Sequence, residues 1–535
     1  MAAIITSNFR TVNASHFKEQ IEGSSVYVAI GKSDVWSLTT SDTTDTTPFI
    51  PGDNLDQLGE ARANLIGMKK IVSADIAHVV PRHTWTSGNS YYAWDSDDAS
   101  IFDKAFYIVT SEFKVYKCIV AGGGASSIQP TQTLTSPTAE SDGYTWKYMY
   151  TISVADAEKF LTNSYMPVKT VSLAASATVA VASTTATIIL TETVPGIHVG
   201  MTVSGTNVGS SKTVSDINGS VLTLSGAPSG SVSGILTFAY ANDAAAEAVL
   251  SEADYAQYLN QKASRDSSTA AGIERIEVTA GGTGYTNNTN VAVAITGDGT
   301  GATVTTTAGI TVAGGAVTAV TIANKGTNYR VADLVISGGA GSDATARAVI
   351  SPKAGHGVDP VSELGGFFVS LNTKLDGNDG GDLTVGNDFR QITLFSEPRV
   401  YNATPLAGVI ASADTLKGTS YLDIASGSTD NATDFTVDEL IVGQTSGAQA
   451  YVVEKDTVNN YLRYHQNDKT GYTAFSNGED VVGQTSTSTA TLESSNAVGA
   501  PEVDRMSGEI LFLENRNPIS RTTTQIEDIK VIIEF

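Results

Sequence analysis

A chain of 535 residues exceeds what one hydrophobic core supports, and its formal net charge of -24 opposes the phosphate contacts that nucleic acid or an anionic membrane would require. The single cysteine, Cys118, excludes an intrachain disulfide and a cysteine-based zinc site. With 50 glycines, 7% aromatic and 16% charged residues, the composition suits turn-rich β modules better than helical bundles.

Residues 1–168 read as the first part of a mixed body in which Trp36, Trp85 and Trp146 are core anchors. Ser15 is expected to cap a short helix over His16–Ile21, Val26–Ile30 to form a strand ending at Gly31, and Ala155–Leu161 a second helix. Cys118 sits in the alternating run Lys114–Val120 and reads as a buried, inert thiol. Residues 169–240 then shift to Ala, Ser, Thr, Val and Gly, with strands at Ala186–Leu190 and Ser220–Leu224, as expected of an inserted β module. A helical connector follows over 241–268, capped by Asp243 and running to about Lys262, with Val249, Leu250, Ala253 and Ala256 on one face.

Residues 269–362 form a second inserted module built on a repeat. Ile276-Glu277-Val278 through Gly282-Thr283-Gly284-Tyr285 recurs at Val320-Thr321-Ile322 through Gly326-Thr327-Asn328-Tyr329, 44 positions later, which predicts two stacked copies. Residues 363–400 return to the body. In 401–505, Phe435, Glu439, Val442, Gly443, Gln444, Thr445, Ser446 and Ala450 recur 40 positions later as Phe475, Glu479, Val482, Gly483, Gln484, Thr485, Ser486 and Ala490, marking a third module of two similar halves. In the final body segment, 506–535, Ile529, Val531, Ile533 and Phe535 alternate with Lys530, Ile532 and Glu534, the period of a half-buried strand that closes the body's sheet. The fold class is mainly β: a β-sandwich body with a few helices and long loops, interrupted by small β modules.

The search for chemistry yields no catalytic, cofactor-binding or metal-binding residue. His16, His78, His83, His198, His356 and His465 are scattered without ligand spacing, and His78 and His83 read as flanking a turn at Pro81. Gly281-Gly282-Thr283-Gly284 lacks the lysine of a phosphate loop. The stretch Asp376–Asp382 resembles a calcium loop but places Gly380 and Asn387 where ligands are needed, so it reads as a solvated turn. The adjacent carboxylates Asp97-Asp98 and Glu527-Asp528 would point to opposite faces of a strand. Arg82, Arg390 and Arg516 read as surface ion pairs, although a guanidinium fork also suits buried carboxylates. Tyr285, Tyr329, Tyr461, Tyr464 and Tyr472 are the candidates for an exposed aromatic face that would bind glycan, against an ordinary core role. The N-terminus lacks the charged start and apolar stretch of a signal peptide, and no apolar run approaches a membrane span.

Six strings occur in an order that points to one family. They are Thr6-Ser7-Asn8-Phe9-Arg10-Thr11, Tyr27 through Ser37, Val80-Pro81-Arg82-His83-Thr84-Trp85, Asp142-Gly143-Tyr144-Thr145-Trp146-Lys147-Tyr148, Phe389-Arg390-Gln391-Ile392, and Ser507-Gly508-Glu509-Ile510 continuing through Glu514-Asn515-Arg516-Asn517-Pro518-Ile519 to Phe535. Together they resemble the dimeric baseplate wedge protein of T-even-type contractile-tail bacteriophages, over roughly 1–168, 363–400 and 506–535. The resemblance implies a structural virion protein of the tail baseplate, assembled in the host cytoplasm as a homodimer that contacts other wedge proteins, with no cofactor and no nucleic-acid or membrane partner. Two other functions compete with it: a tail module that binds host glycan or a fibre, and, ranked last, a tail enzyme that degrades envelope polymers with two distant carboxylates.

Overall fold

The computed structural model describes residues 4–37, 39–40, 44–268, 270–305 and 309–535. The chain is mainly β, with many small sheets and few helices. It divides into two compact units, each assembled from stretches far apart in sequence: Met1–Glu19, Ala77–Ser370 and Ile532–Phe535 form one, Gln20–Ile76 and Leu371–Val531 the other.

The second unit is organised by a five-stranded antiparallel sheet in the order Thr415–Lys417, Leu65–Lys70, Val26–Gly31, Asp388–Ser396, Glu509–Ser520. Its central strand, Val26–Gly31, is buried at all six positions and ends at Gly31 as expected, where a Cβ would meet the Asn64 carbonyl at 3.0 Å. Tyr27, Ala29, Leu65, Met68, Phe395 and Leu416 make the core on one face of this sheet. Thr415–Lys417 lies within the 401–505 segment yet forms an edge of this sheet. Residues 420–499 of that segment form a seven-stranded sheet, Thr489–Thr491, Asp480–Gly483, Leu440–Gly443, Gln449–Asp456, Tyr461–His465, Ser420–Asp423, Val498–Gly499, over its own core running from Leu422 to Ala497.

The N-terminal helix spans Ser7–Gly23, not His16–Ile21. The Thr6 hydroxyl accepts the Phe9 N–H at 3.3 Å and so starts the helix well before Ser15, whose own hydroxyl meets His78 Nε2 at 3.3 Å instead. The expected turn at Pro81 is also corrected. Ile76–Pro81 is a strand, with Val79, Val80 and Pro81 paired to Pro167, Met166 and Tyr165. The helix near 155 spans Val154–Phe160, capped by Ser153. A four-stranded sheet, Tyr107–Val109, Lys114–Val120, Thr145–Thr151, Thr138–Ala139, buries Val115, Met149 and Tyr150 in one core with Phe106 and Leu364. Asp97 and Asp98 lie in a turn and not on a strand.

Residues 175–239 form a six-stranded sheet whose inward positions, including Ile188, Leu190, Leu222, Leu224, Leu236 and Phe238, alternate with exposed ones. The connector is two helices, Asp243–Glu247 and Glu252–Ser267. Asn242, not Asp243, caps the first, and the chain restarts at Ser251, whose hydroxyl accepts the Asp254 N–H at 3.2 Å. Its buried side chains are Gln257, Tyr258, Gln261 and Ser264, so the expected stripe through Val249, Ala253 and Ala256 is not the packed one.

The repeat at 269–350 is interleaved where stacking was expected. Ile273–Thr283 pairs with Ser342–Ile350, Val291–Gly297 with Ala332–Gly338, and Thr300–Val304 with Ile322–Thr327, so each ladder takes one strand from each copy. Gly282 and Gly326, at φ +65° and +64°, bend the chain before Tyr285 and Tyr329, and both rings enter the shared core. Exchanging strands buries apolar surface that neither copy could bury alone.

The C-terminal strand, Ile526–Glu534, lies beside Phe368–Asp376. Ile529 and Val531 are buried as the alternation predicts, but beyond them Ile532 is half-buried against Val79 and Phe160, and Ile533 and Phe535 are only half-buried. Phe535 is held by Phe17, with ring centroids 5.0 Å apart, and by its N–H to the Phe367 carbonyl at 3.0 Å.

Candidate functional site: interlocked repeats and buried charge clusters

The 40-residue repeat is explained by a reciprocal clamp. The Glu439 carboxylate accepts N–H groups of Thr485 and Ser486, both at 2.9 Å, and the Ser486 hydroxyl at 2.8 Å. Glu479 does the same for Thr445 at 3.0 Å, Ser446 at 2.9 Å and the Ser446 hydroxyl at 2.8 Å. Each also accepts an N–H from its own half, Thr436 or Ser476, at 2.6 Å. The two halves meet at Leu440–Gly443 and Asp480–Gly483, where Val442 faces Val482 across the ladder. Gly443 is required because a Cβ would stand 2.7 Å from both Glu479 and the Ser446 hydroxyl. Burial pushes the Glu479 carboxyl up, but the N–H groups of Ser446, Ser476 and Thr445 with the Ser446 hydroxyl outweigh it and hold the group below the ordinary range.

A second cluster surrounds Asp34, just beyond the central strand of the second unit. Lys32 reaches it at 3.1 Å, Lys469 at 2.5 Å, and the Asn467 amide donates to it at 3.0 Å and to Asn64 at 2.9 Å. Burial raises the Asp34 carboxyl, yet Lys32, His465 and Lys469 together pull it below the usual value. His465 meets the Ser33 hydroxyl at 2.9 Å, the spacing of a nucleophile and its base. Burial holds this imidazole neutral, down to about 4, and its Nδ1 has no hydrogen-bond partner among the described residues. Ser33 and His465 are both buried, and the contact ties the strand Tyr461–His465 to the segment that follows Val26–Gly31.

The third cluster, in the first unit, stands on two paired strands, where Lys117 faces Lys147 in register. Glu363, on the short helix Pro360–Leu364, takes Lys117 at 2.9 Å and the N–H groups of Gly357, Val358 and Asp359 at 2.8–3.2 Å. Lys117 also lies 3.8 Å from the centre of the Trp94 ring, and Lys147 donates to Ser264 at 2.9 Å. Burial brings Lys147 down to about 8. Enclosed His356, held neutral by burial, sits 3.6 Å from Glu274 and 3.9 Å from Glu363. The cluster joins the repeat segment and the 356–363 loop to the strands of the body.

The N-terminal body that two of these joints grip can be placed by comparison. Residues 3–127 match the family of bacteriophage T4 Gp8. Gp8 is a baseplate wedge protein. No curated protein matches the chain. The Gp8 match carries the N-terminal helix, the strands Val26–Gly31, Leu65–Lys70 and Ile76–Pro81, and the residues Asp34 and Lys117. It stops short of all three segments read from the sequence as insertions.

The residues singled out from sequence fare unevenly. Arg390 is not a surface pair: it is buried, forks onto Asp45 at 2.8–3.2 Å and Asp388 at 3.0 Å, and donates to the Ser33 carbonyl. Arg82 donates to Thr84 and the Thr162 carbonyl, and Arg516 stands 3.6 Å from Glu514. Trp36 and Trp146 are buried and Trp85 is half-buried. Tyr285, Tyr329 and Tyr464 are core residues, Tyr461 stacks on Tyr421 at 4.4 Å, and Tyr472 alone of the five is exposed, its hydroxyl on Asp468 at 2.7 Å. Cys118 is buried, which pushes its thiol up to about 12. In the 376–382 loop Asp379 pairs with Lys69 at 2.6 Å and Asp382 accepts from Thr415 at 2.7 Å, and no metal-holding group of side chains occurs among the described residues. No described helix is long and apolar enough to cross a membrane. Sequence reasoning missed Asp34, Lys117, Glu363 and Lys469. The repeat had already exposed Glu439 and Glu479, though not their exchange of partners.

Proposed function

We propose that this protein is a structural subunit of a contractile-tail phage baseplate wedge, a homodimeric scaffold that positions neighbouring wedge proteins. The observation that carries the reading is the match of residues 3–127 to Gp8, in the part of the chain where the Tyr27–Ser37 and Val80–Trp85 strings lie. Its place is the virion, at the tail baseplate, after assembly in the host cytoplasm. The protein is not an enzyme, and it holds no cofactor or metal. Supporting this, the enclosed charge clusters around Asp34 and Glu363 act as joints within the fold.

The division of labour follows the sequence. The body comprises 1–168, 363–400 and 506–535; the segments 169–240, 269–362 and 401–505, with the connector 241–268, are elaborations displayed from it. A symmetric pair offers each surface twice, so weak contacts act at high effective concentration once the first forms. The test is to locate the chain in density of purified tails and to weigh it in solution. Density in the wedge and a mass of twice 55.6 kDa are expected, whereas absence from the tail overturns the reading.

A further inference from the structure

Six exposed apolar side chains of the second unit lie on three adjoining segments. Val409 is 73% exposed, Met506 60% and Leu406 57%, and Val400, Tyr401 and Ile410 are exposed beside them. The backbone brings them together. The Val400 N–H donates to the Val409 carbonyl at 2.9 Å, Arg399 bridges to Ile410, and Arg399 and Val400 pair with Asp504 and Val503. Isolated exposed apolar residues are ordinary, but six large ones on three adjoining segments are a patch.

Two observations say what covers it. Leu406 has φ +59°, a left-handed conformation that costs a bulky residue energy, and Asp504 fixes the loop by accepting the Leu406 N–H at 3.2 Å and the Met506 N–H at 3.0 Å. Strain that holds an apolar side chain out in water does nothing for the free chain. The carboxylates beside it are Glu502, exposed, and Asp504, half-buried, while Arg399 turns its guanidinium onto the Gly408 carbonyl at 2.8 Å and half-buried Arg505 turns its own towards the Ala63 carbonyl at 3.4 Å. A second copy of a chain with net charge -24 would set these carboxylates against its own.

We infer that the patch of Val400, Tyr401, Leu406, Val409, Ile410 and Met506 docks a different tail protein, one that presents an apolar anchor ringed by Lys or Arg. The inference rests on the tail-subunit reading. Hydroxyl-radical footprinting of Met506 and Tyr401, in the free protein and in intact tails, tests it alongside incorporation of V409E and E502K. Oxidation of Met506 should slow at least about tenfold in tails, and V409E, which melts like the wild type, should incorporate at least about tenfold less well, the loss expected of an interface anchor. E502K should also incorporate less well. The inference is overturned if Met506 oxidises equally in both states, if V409E or E502K incorporates normally, or if V409E alters the mass of the free protein, which would make a second copy the occupant. Absence of the chain from tails overturns this and the tail-subunit reading together; presence with unprotected Met506 overturns this alone.

Discussion

Glu439 holds Ser486 from the opposite half of its module by two hydrogen bonds, one from the N–H at 2.9 Å and one from the hydroxyl at 2.8 Å, while Glu479 holds Ser446 in the same way. Replacing either glutamate by Ala removes the acceptor of three N–H groups and a hydroxyl, so each variant should lose about 2–4 kcal/mol of stability in urea titration. The Glu479 carboxyl is lower in the fold than in the open chain, so its contribution is complete above about pH 4.3 and disappears as pH falls through the folded value. Acid unfolding should therefore become shallower below that pH in Glu479→Ala. A loss well under about 1 kcal/mol in both variants would mean that the clamp is incidental.

Asp438 should respond to pH with the opposite sign. Burial, with Asp388 and Asp34 nearby, pushes its carboxyl up to about 7, although the Asp388 N–H and Arg390 oppose the rise. The folded protein then keeps a proton that the open chain releases near pH 3.9, so stability falls as pH rises from about 4 to about 7. Asp438→Asn retains an acceptor for the Asp388 N–H at 3.1 Å and removes the titration. It should raise the melting temperature at pH 8 and leave it nearly unchanged at pH 4.

The seven-stranded module should be removable only within narrow limits. Tyr421 and Gly499 are ladder partners, so a short Gly/Ser link can replace 421–499, and that stretch takes its enclosed core, Leu422 to Ala497, with it. The deletion uncovers Asp34 to water as it removes Lys469, so no charge is left buried alone. A soluble protein melting within about 10 °C of the parent is expected. Removing all of 401–505 also deletes the edge strand Thr415–Lys417 and should give insoluble protein. Equal solubility of the two deletions would count against this boundary.

At the C-terminus, buried Ile529 and partly exposed Lys530 make a paired test. Ile529→Ala should cost about 2–4 kcal/mol, the usual cost of emptying a buried site. Lys530→Ala loses an ion pair to exposed Asp528 at 3.3 Å and should cost well under about 1 kcal/mol. Thermal melts of both variants decide it, and similar small losses would show that the strand is not anchored.

The sequence alone determined the features that depend on local pattern. The mainly β class, the ends of Val26–Gly31, the helix at 155 and both repeats were legible because apolar period, glycine placement and self-similarity are properties of neighbouring residues. Ser15 misled because a capping hydroxyl looks the same wherever it falls in a helix, and only the competition with Thr6 settles where the helix starts. Whether two repeats stack or exchange strands depends on which ladder buries more surface, and that is fixed when residues such as Ile276 and Ala348 meet across the module. The charge clusters were invisible for the same reason: Asp34 and Lys469, or Lys117 and Glu363, lie hundreds of residues apart in sequence, and each looks like an ordinary surface charge until folding encloses it with its partner. Arg390 became a buried fork only because Asp45 and the Ser33 carbonyl are carried to it by the fold.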